Sequence, residues 1–132
     1  MKRAKIDQYL DFHSSDTRKC AFLILNVSYG KKYGFGDPDF NEAKARKDVE
    51  VVLKNFIDHF LKDQLFITGD KPTIADITAY YEIQFLMLVG EDFSKWEKID
   101  QWLMRMGEIN EVRKANKAFI KIMSKRNPKA KF

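Results

Sequence analysis

The chain has 132 residues, of which 45% are hydrophobic and 33% are charged, and this length supports one hydrophobic core. The net charge of +5 comes from 24 basic and 19 acidic residues that are interspersed along the chain, which argues against a DNA-binding groove. The longest apolar stretches are far shorter than the ~20 residues that a membrane-spanning helix needs, so no membrane span is expected.

The first predicted helix runs from about residue 3 to about residue 29. Its apolar ladder, spaced for one helix face between Ile6 and Ile24, includes Cys20. Because Cys20 is the only cysteine, an internal disulfide is excluded, and its place in the ladder predicts a small buried side chain rather than a reactive thiol. The glycine-containing stretch 34–39 predicts the first connection.

The second predicted helix has two alternative starts. Either Asp37 caps it with Pro38 in the first turn, or Asp39 and Glu42 form a capping box. Apolar residues then recur three and four positions apart between residues 45 and 61, which predicts an amphipathic helix.

The third predicted helix begins with a capping box formed by Thr73 and Asp76. Thr73 has the spacing to accept the backbone N–H of Asp76, while the Asp76 carboxylate reaches back to the N–H of Thr73. We interpret Asp76 as a structural residue because a cap carboxylate stabilises the fold directly. The residues that follow are mostly apolar, which predicts a helix in the interior of the domain. This helix is expected to end near Gly90.

Two further helices are predicted in the last third of the chain. Ser94 and Glu97 have the spacing of another capping box, and Gly107 is expected to end the helix that they start. One apolar stripe is predicted on this helix, formed by Ile99, Trp102, Leu103 and Met106. Asn110 is expected to cap the last helix. No segment shows a sustained period of two, so the sequence predicts an all-α bundle of about five helices.

The helical domain is predicted to span residues 1–124, followed by a basic tail at residues 125–132. The tail carries four cations and no acid, which suits an acidic partner or RNA. Such termini are more often disordered and solubilising, so RNA binding is not favoured.

Residue patterns for catalysis and metal binding are missing from the sequence. His13 and His59 lie on different predicted helices without a repeated ligand spacing, so no metal site is expected. The sequence has no Gly-rich strand-to-helix loop, no Gly-x-Ser-x-Gly elbow and no Cys-x-x-Cys pair. We therefore assign no catalytic residue.

The C-terminal helical domain of glutathione transferases has a signature that closely resembles residues 65–77, Leu-Phe-Ile-Thr-Gly-Asp-Lys-Pro-Thr-Ile-Ala-Asp-Ile. Residues 4–13, Ala-Lys-Ile-Asp-Gln-Tyr-Leu-Asp-Phe-His, resemble the opening helix of that domain in theta-class members. Residues 102–106 are similar to its later Trp-containing helix, and residues 118–121 to its ending. The resemblance covers nearly the whole chain and implies a glutathione transferase C-terminal-like bundle without the N-terminal thioredoxin-like domain.

The resemblance also implies where the chemistry of such an enzyme lies. In this family a separate thioredoxin-like domain holds most of glutathione and supplies the catalytic Ser, Tyr or Cys, whereas the helical domain chiefly walls the apolar pocket for the second substrate. We therefore expect no cofactor in this chain, and glutathione only if a thioredoxin-like domain is supplied, for example by another chain.

If the theta resemblance holds residue by residue, the first helix contributes to that pocket, and Arg18 is the main functional candidate. The alternative for Arg18 is a solvated helix residue or one salt-bridged to Asp16 or Asp11, and the two interpretations stay equal. Five residues are the substrate-pocket candidates that the resemblance implies: Phe12, Ser15, Arg18, Phe22 and Phe119.

Two functions remain open. The first is a stand-alone, non-catalytic protein–protein interaction or structural module in a larger assembly, with a partner covering a face of the first helix and part of the third. The second is the C-terminal half or a fragment of a theta-like glutathione transferase that forms the electrophilic-substrate pocket for glutathione conjugation. We favour the first, since no residue is arranged to activate a thiol, and do not expect catalysis by this chain alone. The amino terminus lacks the apolar segment of a secretory signal, so a cytoplasmic protein is expected.

Overall fold

The computed structural model describes residues 2–126, apart from the side chain of Lys31. Within this range the chain forms six helices and a short 3₁₀ turn at Phe93–Lys95, with no strand beyond an isolated bridge between Phe66 and Gly69. The all-α prediction is confirmed. The helices are α1 at residues 2–33, α2 at 42–61, α3 at 74–89, α4 at Glu97–Glu108, α5 at Asn110–Ala115 and α6 at Lys117–Arg126.

The described residues divide into two compact units, with the boundary between Glu91 and Asp92. Most of the predicted basic tail, residues 127–132, lies outside the described residues. The predicted boundary between domain and tail stays a prediction.

Helix α1 runs four residues beyond its predicted end. It alternates α-helical turns with two π-helical segments, His13–Thr17 and Leu25–Gly30. Gly30 keeps a helical conformation, with φ −57°, so the helix continues past its predicted end near residue 29. The end comes at Gly34, which adopts the left-handed conformation, φ 74°, that terminates helices without a Cβ clash.

Helix α2 is capped by a residue that neither alternative named. The side chain of Asn41 accepts a hydrogen bond from the backbone N–H of Lys44 at 3.0 Å. Asp37 instead accepts the backbone N–H of Asp39 at 2.9 Å, which closes a turn ahead of the helix. Both predicted starts are therefore wrong, because the two aspartates lie in the turn and the first free helical N–H groups face Asn41.

Helix α3 begins at the predicted capping box, in which both reciprocal hydrogen bonds between Thr73 and Asp76 are present. It ends at Gly90, whose φ is 84°. The first unit is built around this helix, α1 and α2. Aromatic rings join α1 to α2, with the Tyr9 ring 5.3 Å from that of Phe60. Residues fully or almost fully buried in this unit include Tyr9, Cys20, Leu23, Val52, Leu53, Phe56, Ala75, Ala79, Ile83 and Leu86.

Two predicted caps in the second unit are wrong. Ser94 lies inside the 3₁₀ turn, where its N–H donates to the carboxylate of Asp92 at 2.9 Å, and no side chain caps α4. This bond lowers the pKa of the Asp92 carboxyl. Asn110 is the first residue of α5 and not its cap, which is the extended Ile109. Helix α4 ends at Glu108, one residue beyond the predicted Gly107.

The sixth helix arises because the last predicted helix is interrupted. Asn116 has φ −86° and ψ −2°, near the bridge region of backbone space, so α5 and α6 are separate. The predicted apolar stripe of α4 is buried, with Ile99, Trp102 and Met106 inaccessible to solvent. Across residues 2–126, none of the helices combines the length and the hydropathy of a membrane span.

Candidate functional site

Phe12 belongs to an aromatic cluster of the first unit. Its ring centroid lies 4.8 Å from that of Phe60 and 6.2 Å from that of Tyr9. The side chain is half-buried, so one part of the ring supports the core while the rest faces outward. Phe12 therefore has a structural role that the sequence did not assign to it.

Ser15 and Arg18 are exposed on α1. The Ser15 hydroxyl donates to the carboxylate of Asp16 at 2.7 Å, and Lys19 donates to the same carboxylate at 3.2 Å. The bond from Ser15, and then the one from Lys19, lowers the pKa of Asp16. Since Lys19 takes this acid, Arg18 has no hydrogen-bond or ion-pair partner in the described part of the chain. It is a solvated cation, and its functional role stays a prediction.

Phe22 lines a cleft between α1 and the start of α2. Its ring meets the edge of Phe40 at a centroid distance of 5.6 Å. The cleft has a volume of about 220 Å³ and contains none of the other four pocket candidates. Its lining residues are Phe22, Asp37, Asp39, Phe40, Asn41, Lys44, Ala45 and Asp48.

Phe119 is buried within the second unit, on α6. Phe12 and Phe22 lie ten residues apart on α1, which is about 15 Å along a helix. The structure therefore places the four candidates of α1 along one helix and does not gather all five into a pocket within either unit.

A stripe of exposed apolar side chains follows the second half of α1 into the loop after it. Leu25 and Tyr29 lie in the π-helical segment, where i→i+5 bonding puts more residues in each turn, so a spacing of four keeps Leu25, Tyr29 and Tyr33 on one line. The five residues of the stripe are each between 41% and 61% exposed to solvent. The members of this α1 stripe are Phe22, Leu25, Tyr29, Tyr33 and Phe35.

The rings of the α1 stripe are ordered relative to one another. Tyr29 and Tyr33 lie 6.3 Å apart with an interplanar angle of 14°, and Tyr33 and Phe35 lie 6.1 Å apart at 4°. The ammonium group of Lys32 sits 5.1 Å from the centre of the Tyr33 ring. These contacts align three exposed rings nearly parallel to each other.

The loop that carries Phe35 is fixed against α1. The buried Asn26 side chain donates to the carbonyl of Phe22 at 2.9 Å and accepts the backbone N–H of Asp37 at 2.8 Å. Gly30 and Gly36 approach so closely that a Cβ on Gly30 would lie 2.7 Å from the Gly36 Cα. Both contacts need small or amide side chains, which explains the residues found there.

The thiol and phenol groups of the core are poorly suited to nucleophilic chemistry. Cys20 is fully buried, and this burial raises the pKa of its thiol to about 12, with a smaller contribution from Glu82. Burial likewise raises the pKa of Tyr9, against the opposing effect of its hydrogen bond to Thr17. Both groups are therefore expected to keep their protons at neutral pH. The predicted burial of Cys20 is confirmed, and its low reactivity stays a prediction.

Among known proteins, a family model described as the C-terminal domain of glutathione S-transferase matches residues 20–110 of this chain. The match covers more than half of the sequence and includes the capping box. The chain belongs to this family.

Several of its curated relatives are theta-class proteins. Glutathione S-transferase theta-1 of Gallus gallus is 29% identical over 110 residues, which are 81% of this chain and 42% of that protein. Glutathione S-transferase theta-2 of Rattus norvegicus is 28% identical over 82 residues, 61% of this chain and 34% of that protein. Glutathione S-transferase theta-2 of Mus musculus is 26% identical over 106 residues, which are 79% of this chain and 43% of that protein. The chain thus spans less than half the length of the curated relatives it matches, and the theta-like resemblance is confirmed.

The capping box of this glutathione S-transferase C-terminal domain binds backbone groups of the helix start and of the loop before it. One oxygen of Asp76 accepts the backbone N–H of Thr73 at 2.9 Å, and the other accepts that of Ile67 at 2.9 Å. The carboxylate is inaccessible to solvent. Asp76 therefore ties the loop before α3 to the helix start as well as capping the helix.

One polar connection was missed by sequence reasoning. The ring of His13 lies 2.8 Å from the carboxylate of Glu82, which joins α1 to α3. Thr17 links this pair to Tyr9, at 3.5 Å from His13 and 3.4 Å from the Tyr9 hydroxyl. The available signal was Glu82, the one acid of α3 that lies beyond its first turn, in a largely apolar helix. Among residues 2–126, no group of three or more His, Cys, Asp or Glu side chains is placed to hold a metal ion.

Proposed function

We propose that this glutathione S-transferase C-terminal domain acts as a non-catalytic module that binds another protein through the α1 stripe, as part of a larger assembly. The observation that carries the proposal is the stripe itself, with five large apolar side chains exposed along one helix face and its following loop. Contiguous exposed apolar surface of this kind marks interaction sites on soluble proteins.

The order of the α1 stripe supports a binding role. Aromatic side chains dominate interface energetics, and Tyr is enriched among the residues that contribute most to binding. Here the rings of Tyr29, Tyr33 and Phe35 are aligned already, and the Asn26 and glycine contacts hold the loop. Because these side chains are already ordered, binding of a partner would cost this surface little conformational entropy.

The chemistry of the core supports a non-catalytic role. Activation of glutathione needs a positioned hydroxyl or a low-pKa group beside the thiol. Cys20 and Tyr9 are buried with raised pKa values, and the Ser15 hydroxyl is bonded to Asp16. None of these three groups offers a free, activated donor to a substrate.

The experiment is affinity purification of the tagged chain from its native cell, followed by size-exclusion chromatography, with glutathione-conjugating activity assayed on the same fractions. Co-migration with a larger assembly that lacks activity is the expected result. Elution as a free small particle would contradict the proposal.

A second function is favoured by the relatives, which are named glutathione S-transferase theta. In this version the chain forms the electrophile pocket of a theta-like transferase, with a thioredoxin-like domain on the same or another polypeptide supplying the glutathione site. The exposed Arg18 and Ser15 would then face the substrate, with Phe12 and Phe22 as apolar walls. Activity that appears only in fractions containing a thioredoxin-like polypeptide would establish this function and displace the first.

We also propose that the protein works in the cytoplasm. Its single cysteine is a free thiol in the core, which fits a reducing compartment. Fluorescence microscopy of the tagged chain tests this, and a signal confined to an organelle or the cell surface would contradict it.

A further inference from the structure

The cleft at one end of the α1 stripe is acidic, although the chain as a whole is basic. Three carboxylates and one ammonium group line it, those of Asp37, Asp39, Asp48 and Lys44. The net charge of the whole chain is +5, so the negative cleft is a local feature and not a consequence of composition.

Two of these carboxylates are available to a ligand. Asp37 uses one oxygen to accept the Asp39 N–H within the turn. Asp39 and Asp48 are exposed, and within the described side chains neither has an ion-pair partner. They line the same cleft as Phe22, the first member of the α1 stripe, and Phe40, whose rings meet edge to face at 5.6 Å. Aromatic faces next to carboxylates form the environment that attracts a guanidinium or ammonium group.

We infer that the protein bound by the α1 stripe presents an apolar segment that carries an arginine or lysine, and that this cation enters the acidic cleft beside Phe22. The inference rests on the proposed function and names the chemistry of the partner. Apolar side chains of that segment pack on the parallel rings of Tyr29, Tyr33 and Phe35. Charge complementarity fixes the orientation of the segment, while the rings supply most of the affinity.

A protein segment fits this surface better than a nucleic acid does. Stacked aromatic rings also bind single-stranded bases, but such sites track the phosphate backbone with cations. Here the end of the stripe carries two carboxylates with no ion-pair partner among the described side chains, and these repel phosphate. The cation of Lys32 lies over the Tyr33 ring and neutralises only the opposite end. The cleft volume, about 220 Å³, accommodates one long basic side chain.

The test selects binders from a random peptide library displayed on phage, using the full chain as target, and measures the selected peptides by fluorescence anisotropy. The charge variant is Asp39→Asn with Asp48→Asn, which leaves the turn-forming Asp37 intact. The matched control is Glu50→Gln with Asp58→Asn, which removes two exposed acids of α2 that do not line the cleft. The stripe variant is Tyr33→Ala.

Selected peptides are expected to combine apolar residues with arginine or lysine. The charge variant should weaken their binding about fivefold or more at low salt and less at high salt, whereas the control pair should change it less than twofold. Tyr33→Ala should weaken binding at both salt concentrations. Recovery of no peptides, of acidic peptides, or of peptides that bind the charge variant as tightly as the wild type would overturn the inference.

The two proposals can fail separately. If the tagged chain co-migrates with an assembly from its native cell, and Tyr33→Ala disrupts that assembly while the charge variant does not, the interaction module stands and the basic partner is wrong. If no assembly forms, the proposed function itself is wrong.

Discussion

Replacing Asp76 with alanine should destabilise the protein more than the loss of an ordinary helix cap. A typical cap contributes about 1 kcal/mol, because it satisfies one exposed helical N–H. Asp76 is inaccessible to solvent and accepts two backbone N–H groups, one from Thr73 and one from Ile67, each at 2.9 Å. Its removal leaves both donors without their charged acceptor.

The magnitude follows from those two donors. An unsatisfied buried polar group costs about 1–3 kcal/mol, with hydrogen bonds to charged groups at the upper end. Thr73 is half-buried, so water can replace part of its bond, whereas Ile67 is buried. We therefore expect Asp76→Ala to lower the free energy of unfolding by about 3–5 kcal/mol. For a chain of this length, this corresponds to roughly 10–20 °C in melting temperature.

Urea and thermal unfolding followed by circular dichroism measure this effect, and hydrogen exchange at the Ile67 amide localises it. Asp70→Ala is the matched control, because Asp70 is an exposed carboxylate in the same loop and should change the free energy by less than about 0.5 kcal/mol. A loss of less than about 1 kcal/mol in Asp76→Ala, with protection of the Ile67 amide unchanged, would refute the role of Asp76 as a bridge.

Three further predictions concern other parts of the chain. Cys20 should be inert to a thiol reagent in the folded protein. The free energy of unfolding should fall by up to ~1.4 kcal/mol per pH unit as pH rises from 9.0 towards about 12, because the thiol loses its proton in the unfolded chain before it does so in the folded one. A Cys20→Ala variant whose stability falls with pH as steeply as that of the wild type would contradict this. Gly30→Ala should cost about 1–3 kcal/mol in urea unfolding, because its Cβ would lie 2.7 Å from Gly36, and unfolding that matches the wild type would show that the loop yields freely. Arg18→Ala should change the melting temperature by no more than about 1 °C, since Arg18 is exposed. If the chain forms a theta-like transferase, the same variant should lower glutathione-conjugating activity about tenfold. Activity equal to that of the wild type would show that Arg18 is not part of the pocket.

The parts of the fold that could be predicted are those set by local pattern. The Thr73–Asp76 box, the apolar run after it and the buried stripe of α4 combine short-range spacing with strong periodicity, and the structure contains all three. The cap of α2 and the uncapped start of α4 could not be predicted this way, because several acceptors compete within a few residues. Asn41 caps α2, and Asp92 binds the N–H of Ser94, through backbone directions that sequence spacing does not specify.

The candidate site was less predictable than the fold. Phe22 was predicted as a pocket wall, but the stripe that continues from it depends on a π-helical segment, which the spacing of apolar residues does not signal. The helical conformation of Gly30 likewise depends on its contact with Gly36, six residues away. Such contacts form only when the loop folds back on α1, so they are tertiary effects.

The most direct test of the interaction module compares size-exclusion profiles of the tagged chain purified from its native cell as wild type, as Tyr33→Ala and as Val51→Ala. Val51 is as exposed as Tyr33, at 59%, but lies on α2 outside the α1 stripe. The wild type and Val51→Ala should elute within a larger assembly, while Tyr33→Ala should shift towards the free chain with an unchanged circular dichroism spectrum. If all three elute as free chains, or if Tyr33→Ala remains in the assembly like the wild type, the proposed role of the α1 stripe is contradicted.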